Sequence, residues 1–162
     1  MPAAVKTGIS AAMVARRMLS VETQTTVEFV DITPLVSQAV RDAGLVDGLA
    51  MIQTRHTTTG LLVNENEPLL LTDLEAFFCR VARAPGGYAH DDFRRRTVNL
   101  TPYERKNGRA HCCASLLRAS ECVSVASGAL DLGRWQRVFL VEFDGGQRRD
   151  LSVTLIGDGS PP

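Results

Sequence analysis

GLAMIQTRHTTTGLLVNE, residues 48–65, decides how this chain folds: it holds two β-type runs with His56 near their junction. Upstream, SVETQTTVEFVD (20–31) is rich in β-branched residues and alternates loosely, so it reads as strand. Asp31-Ile32-Thr33-Pro34 then predicts a helix start, with Thr33 as N-cap and Pro34 at the first helical position. Leu35, Val36, Ala39, Val40 and Ala43 follow at helical spacing, and Gly44 ends that helix. Downstream, a second helix spans about 67–83, with Pro68 in its first turn and Leu69, Leu70, Leu74, Phe77, Phe78 and Val81 as its apolar face. Residues 85–103 form a long polar loop, of a kind that in compact domains is functional or disordered. A third helix runs from about Pro102 to Arg118. Strands follow at 121–126, 135–143 and 149–156, and Asp144-Gly145-Gly146 makes a tight turn between the last two. Segregated, mostly antiparallel strands with a few helices mean an α+β fold.

The 162 residues suit one domain, and 44% apolar content excludes general disorder. No internal repeat or long linker divides the chain. Residues 1–17 read as a flexible N-terminal extension, 18–157 as the domain and 158–162 as a tail. The first 21 residues hold no acid but include Lys6, Arg16 and Arg17, which is also compatible with a weak organelle-targeting signal. Eighteen basic residues balance eighteen acidic ones, so no global field holds a nucleic acid. Arg94-Arg95-Arg96 is either a local basic patch or a solvated loop. Cys79, Cys112, Cys113 and Cys122 form no C-x-x-C pair and read as reduced, mostly buried thiols in a cytoplasmic compartment. No apolar run approaches the roughly 20 residues that cross a bilayer. Neither G-x-G-x-x-G nor G-K-[ST] occurs, so those nucleotide-binding devices are absent.

Only three histidines occur, His56, His90 and His111, each beside other polar groups at an element boundary. Imidazole suits both proton transfer near neutral pH and metal ligation. Asn107 lies four residues before His111, hence on the same face of a helix. No two histidines have H-x-x-x-H spacing, so an ion held by His56, His90 and His111 needs ligands from separate elements, with Glu65 or Asp91 as a candidate fourth. Glu67 answers a helix dipole, whereas Glu65 stands where it can face a cleft. Trp135 is a core or interface anchor, and Gln136 beside it is placed to satisfy a buried backbone group. Glu142, Asp144, Arg148 and Arg149 flank a turn, either as cross-strand ion pairs or with an arginine aimed at phosphate. Cys112 and Cys113 follow His111, but adjacent helical residues point about 100° apart, a poor geometry for a Cys–His dyad.

HTTTGLLVNENEPLLLTD (56–73), YAHDD (88–92), NGRAHCCASLL (107–117), SGALDLGRWQRVFLVEFDGGQRRDLSV (127–153) and VEFVDIT (27–33) together resemble the YjbQ-like family, also called secondary thiamine-phosphate synthases, over roughly residues 18–157. The resemblance implies a β-sandwich with flanking helices, a homotrimer, and a weak thiamine-phosphate synthase reaction joining a pyrimidine diphosphate to a thiazole phosphate. It implies catalytic roles for His56, His90, His111, Glu65 and Asn107, and substrate binding by Asn64, Asp91, Trp135, Gln136 and Arg149; Asp73, Glu142 and Asp144 also match the pattern. Diphosphate departure needs a cation, from arginine or from a divalent ion such as zinc or magnesium. Partners would be a small phosphorylated substrate and copies of the chain, with no nucleic acid and no membrane. The same residues also suit a non-catalytic metal- or phospholigand-binding trimer. Gly108-Arg109 and Leu116-Leu117-Arg118 depart from the family pattern and leave substrate identity open.

Overall fold

The computed structural model describes residues 13–159. In chain order the elements are β1 (Met13–Glu22), β2 (Glu28–Asp31), α1 (Thr33–Ala43), β3 (Leu45–Thr54), β4 (Thr59–Glu65), α2 (Pro68–Val81), α3 (Gly108–Ala114), β5 (Ser120–Ala126), β6 (Ala129–Leu130), β7 (Gln136–Glu142) and β8 (Arg148–Gly159). A single 3-10 turn, Ala89–Asp91, lies between α2 and α3. The strands form a five-stranded sheet of order β1-β8-β3-β5-β6 and a three-stranded sheet of order β2-β7-β4. Every pairing is antiparallel. No helix among the described residues is long and apolar enough to cross a membrane.

β7 explains where the core sits. Its Val138–Glu142 segment is buried at every position, unlike a strand with one solvated face. Val138 and Leu140 join a cluster with Ile32, Val36 and Val40 near α1 and with Ile52, Leu151, Val153 and Leu155 of the larger sheet. Phe139 and Val141 point the other way, into a second cluster with Phe78, Ala110, Cys113 and Phe143 under α2 and α3. Phe78 meets Phe143 edge-on at 5.0 Å, a geometry that adds to simple burial. This second cluster seats α3, and with it His111, against the small sheet.

Helix boundaries follow local chemistry. Gly44 takes the left-handed conformation that ends α1, its N–H bonding the Arg41 carbonyl, as the sequence predicts. Glu67 caps α2 through both carboxylate oxygens, to the Leu69 and Leu70 amides. Thr33 does not cap α1; Ile32 holds that position, and the Thr33 hydroxyl accepts the Val138 N–H at 2.8 Å instead. Tying α1 to β7 wins over capping because a buried strand amide has no water to turn to.

The remaining differences have similar causes. The run at 20–31 is two strands in two sheets, broken at residues 23–27 where Val27 has φ 59°. Alternation marks strand character but not the point where a chain leaves one sheet for another. β1 begins at Met13 and β8 reaches Gly159, so strand pairing takes in residues on both sides of the expected 18–157 domain; residues 1–12 lie outside the described residues. β7 and β8 belong to different sheets, so Asp144-Gly145-Gly146 is a crossover and not a hairpin turn. α3 is one short helix, Gly108–Ala114. Residues 101–104 form a separate turn, because the Glu104 carboxylate accepts the Thr101 amide and hydroxyl and pairs with Arg96. Only Cys113 is buried; Cys79, Cys112 and Cys122 are exposed.

Candidate functional site

His56, His90 and His111 line one cleft of about 510 Å³, together with Arg55, Thr57, Asn107, Asp144, Gln147 and Arg149. His56 comes from the connection between β3 and β4, His90 from the 3-10 turn and His111 from α3. A more apolar cavity of about 430 Å³ meets this cleft at His56 and His111 and is lined by Thr54, Ala114, Leu117 and Ala119. A cavity of about 560 Å³ near Tyr88, Phe93 and Lys106 holds no histidine, so size alone does not select the site.

The floor of the cleft is a buried ion pair. Arg149 is 4% exposed and Glu142 fully buried, and the guanidinium bonds both carboxylate oxygens, Nε to Oε2 and Nη2 to Oε1. Glu142 also accepts the Phe143 and Asp144 amides and the Thr23 hydroxyl. The fork of Arg149 is therefore spent on Glu142, leaving only longer contacts, to Thr58 at 3.3 Å and Gln147 at 3.4 Å.

His56 is fixed from behind. Its Nε2 accepts the Asp150 backbone N–H at 2.9 Å. An acceptor nitrogen carries no proton, so the neutral ring holds its one N–H on Nδ1. Burial, then the charge of Arg149, lowers the His56 pKa.

The opposite wall is a histidine pair. The His90 and His111 rings stand 4.7 Å apart between centroids, 64° from coplanar. Burial, then His90, lowers the His111 pKa. Among the described residues, His90 Nε2 and Asn107 Oδ1 are buried without a hydrogen-bond partner. Each such orphan costs about 1–3 kcal/mol, so two on one wall of a cleft mark a place for a polar guest. The wall is held by Asp91, which accepts the Gly108 amide at 2.8 Å and starts α3, and by Asp144, which accepts the Asn107 and Gln147 amides. Gly108 is required here: a Cβ would lie 2.6 Å from the Tyr88 Cβ and 3.1 Å from the Asp91 carboxylate.

The other sequence candidates lie elsewhere. Asn64 and Glu65 end β4, where Glu65 lies opposite Gln136 and the Asn64 side chain accepts the Glu65 amide. Gln136 accepts the Gly133 amide at 2.8 Å, and Trp135 is 59% exposed with the Arg134 guanidinium 4.5 Å from its ring centre. These four sit at the start of β7, about 20 Å from its cleft end at roughly 3.3 Å per residue. Asp73 is exposed on α2. Asp91 positions α3 without lining the cleft. Sequence reasoning missed Arg55, Glu104 and Gln147 as site residues, and it took Thr57 and Thr58 only as part of the HTTTG run that opens at His56, with no role assigned to them. Arg96 turns inward from the basic triplet to pair with Glu104 at 2.8 Å and holds that carboxyl's pKa low, while Arg94 and Arg95 stay exposed.

A metal held by all three histidines does not fit this chain. His56 has given Nε2 to Asp150, and ligation by Nδ1 would strip the ring of its only proton. Among the described residues, no three His, Cys, Asp or Glu side chains are grouped to hold an ion.

The family model described as UPF0047 protein YjbQ-like matches residues 17–158. A UPF0047 protein of Archaeoglobus fulgidus is 38% identical over 138 residues, 85% of this chain and 98% of that relative. One from Methanothermobacter thermautotrophicus is 32% identical over 139 residues, covering 86% and 90%. A YbjQ-like protein of unknown function from Sulfolobus solfataricus superposes with TM-score 0.77 at 29% identity, over 91% of this chain and 99% of that one.

Proposed function

Since this chain belongs to the UPF0047 YjbQ-like family, we propose that it is a small-molecule enzyme whose chemistry runs at the His90–His111 pair. One observation carries the reading: two imidazoles in contact, with the buried His90 Nε2 and Asn107 Oδ1 unanswered, on the wall of a cleft that also holds arginine. Such a pair passes a proton to or from a bound ligand at neutral pH. The polar cleft suits a phosphorylated group, and the adjoining apolar cavity suits a flat ring.

The reaction we assign is the thiamine-phosphate synthase type. The carbon–oxygen bond of a pyrimidine-methyl diphosphate breaks, and diphosphate leaves with the electron pair. The thiazole nitrogen forms the new carbon–nitrogen bond. In this scheme the histidine pair protonates the departing diphosphate oxygen. No step is routed through a metal.

We further take the two sheets to pack as a sandwich and the chain to work as a cytoplasmic homotrimer. A buried cluster shared by both sheets supports the first point. Exposed Leu69, Phe77, Leu116 and Trp135 support the second, as does the chain's set of free thiols for a reducing compartment. The test is turnover of the two phosphorylated substrates by wild type and His111→Gln, with light scattering on both. Turnover that survives His111→Gln unchanged would remove the pair from the mechanism, and a monomer would remove the trimer.

A further inference from the structure

The charges around the cleft are sorted. Arg149 is answered by Glu142 and Arg96 by Glu104. Asp144 and Glu104 stand with the histidine pair, and Arg105 reaches Asp144 only at 4.0 Å. Arg55 remains. Among the described residues its guanidinium meets no carboxylate within the 4.0 Å that defines an ion pair and makes no hydrogen bond, although it lines both the polar cleft and the apolar cavity. Thr57 beside it is exposed and also lines both cavities, and among the described residues its hydroxyl makes no hydrogen bond.

His56 stands between them. Its Nε2 is held by Asp150 N–H, so Nδ1–H is the donor it has left. Among the described residues Nδ1 makes no hydrogen bond, and it is not one of the buried unpartnered atoms, so solvent reaches it, on a residue that lines the cleft. Protonation at Nε2 would set two donors against each other, so the Asp150 amide holds the ring neutral in this one tautomer.

We propose that Arg55, His56 and Thr57 form an anion-holding wall, a subsite for the phosphate or diphosphate of the substrate, with His56 acting through a fixed Nδ1–H and not as a metal ligand. This deepens the enzymatic reading and rests on it. It replaces Arg149, whose fork is occupied, with Arg55 as the cation that meets the ligand. The acids on the histidine-pair wall repel an anion toward Arg55, leaving that wall to proton transfer.

Inorganic pyrophosphate is the probe, titrated calorimetrically into wild type, Arg55→Gln, Arg55→Lys and Arg148→Gln. Arg148 is an exposed arginine near the cleft that does not line it, and serves as the control for net charge. Loss of a charge-assisted contact weakens binding about tenfold or more in Arg55→Gln, and less in Arg55→Lys. Arg148→Gln stays close to wild type. Nitrogen-15 spectra of the histidines show His56 protonated on Nδ1, with that nitrogen shifting as pyrophosphate is added. Equal affinity of wild type and Arg55→Gln, no binding to wild type, or a His56 proton on Nε2 would each overturn the subsite. The two ideas fail separately: absent turnover with Arg55-dependent binding sinks the reaction alone, whereas turnover with KM unchanged in Arg55→Gln sinks the subsite alone.

Discussion

The backbone N–H of Asp150 donates to Nε2 of His56 at 2.9 Å, across 94 residues of sequence. That bond ties the β3–β4 connection to β8 and sets which edge of the imidazole meets the cleft. It also takes His56 out of any ligand set. Wild type and His56→Ala dialysed against zinc should therefore retain equal metal by elemental analysis. A loss of one equivalent in the variant would show the ring ligating.

The ion pair of Arg149 and Glu142 is almost completely buried. Arg149→Met leaves the Glu142 carboxylate with its amide and hydroxyl donors but no cation. Breaking a buried pair from one side costs about 3–5 kcal/mol. Urea unfolding should show a loss of this size, with much of it recovered in the double variant Arg149→Met, Glu142→Leu.

Acid stability should fall in two windows. His56 and His111 have folded pKa values below the ordinary value of about 6.5. The unfolded chain then binds more protons, so their contribution is complete above about 6.5 and erodes as pH drops toward the folded values. Glu104, Asp150 and Glu67 are also lowered, by the Arg96 side chain, the Ser20 hydroxyl and the Leu69 amide respectively. Their contribution is present above the ordinary carboxylate pKa of about 4 and is lost at lower pH. Thermal midpoints measured from pH 8 to pH 3 should decline in both windows. In His111→Gln the decline near pH 6 should shrink; an unchanged slope there would refute the assignment.

The thiols should divide three to one. Cys79, Cys112 and Cys122 are exposed, while Cys113 is fully buried and burial raises its pKa. A thiol reagent on native protein should titrate three groups, with the fourth appearing on unfolding.

Gly108→Ala should damage both stability and site. The added methyl meets Tyr88 and crowds the Asp91 contact that begins α3. Overpacking of this kind costs about 1–3 kcal/mol. The variant should melt earlier, and the lowering of the His111 pKa by His90, read in an NMR titration of His111, should weaken as the rings part. A wild-type melting point would show that Tyr88 yields freely.

Much of the secondary structure was legible in local chemistry. Gly44 ends α1 and Glu67 starts α2 because a left-handed glycine and a capping carboxylate act over three or four residues. The long α3 expected at 102–118 failed because Glu104 is claimed by Arg96, a partner eight residues upstream that no helical period reveals. Trp135 and Gln136 belong to one of the segments that carry the family resemblance, yet their turn closes on Gly133 at the far end of β7 from the histidines.

The sequence by itself determined the antiparallel strand character, the three helices and the choice of His56, His90 and His111, because periodicity, caps and residue chemistry are local properties. Only the tertiary structure decided that β7 and β8 enter different sheets, that Arg149 is occupied by Glu142 while Arg55 meets no carboxylate among the described residues, and that the Asp150 amide takes Nε2 of His56. Those are pairings between distant segments. Which donor meets which acceptor depends on how buried groups compete for partners once water is gone, and that competition has no trace in spacing along the chain.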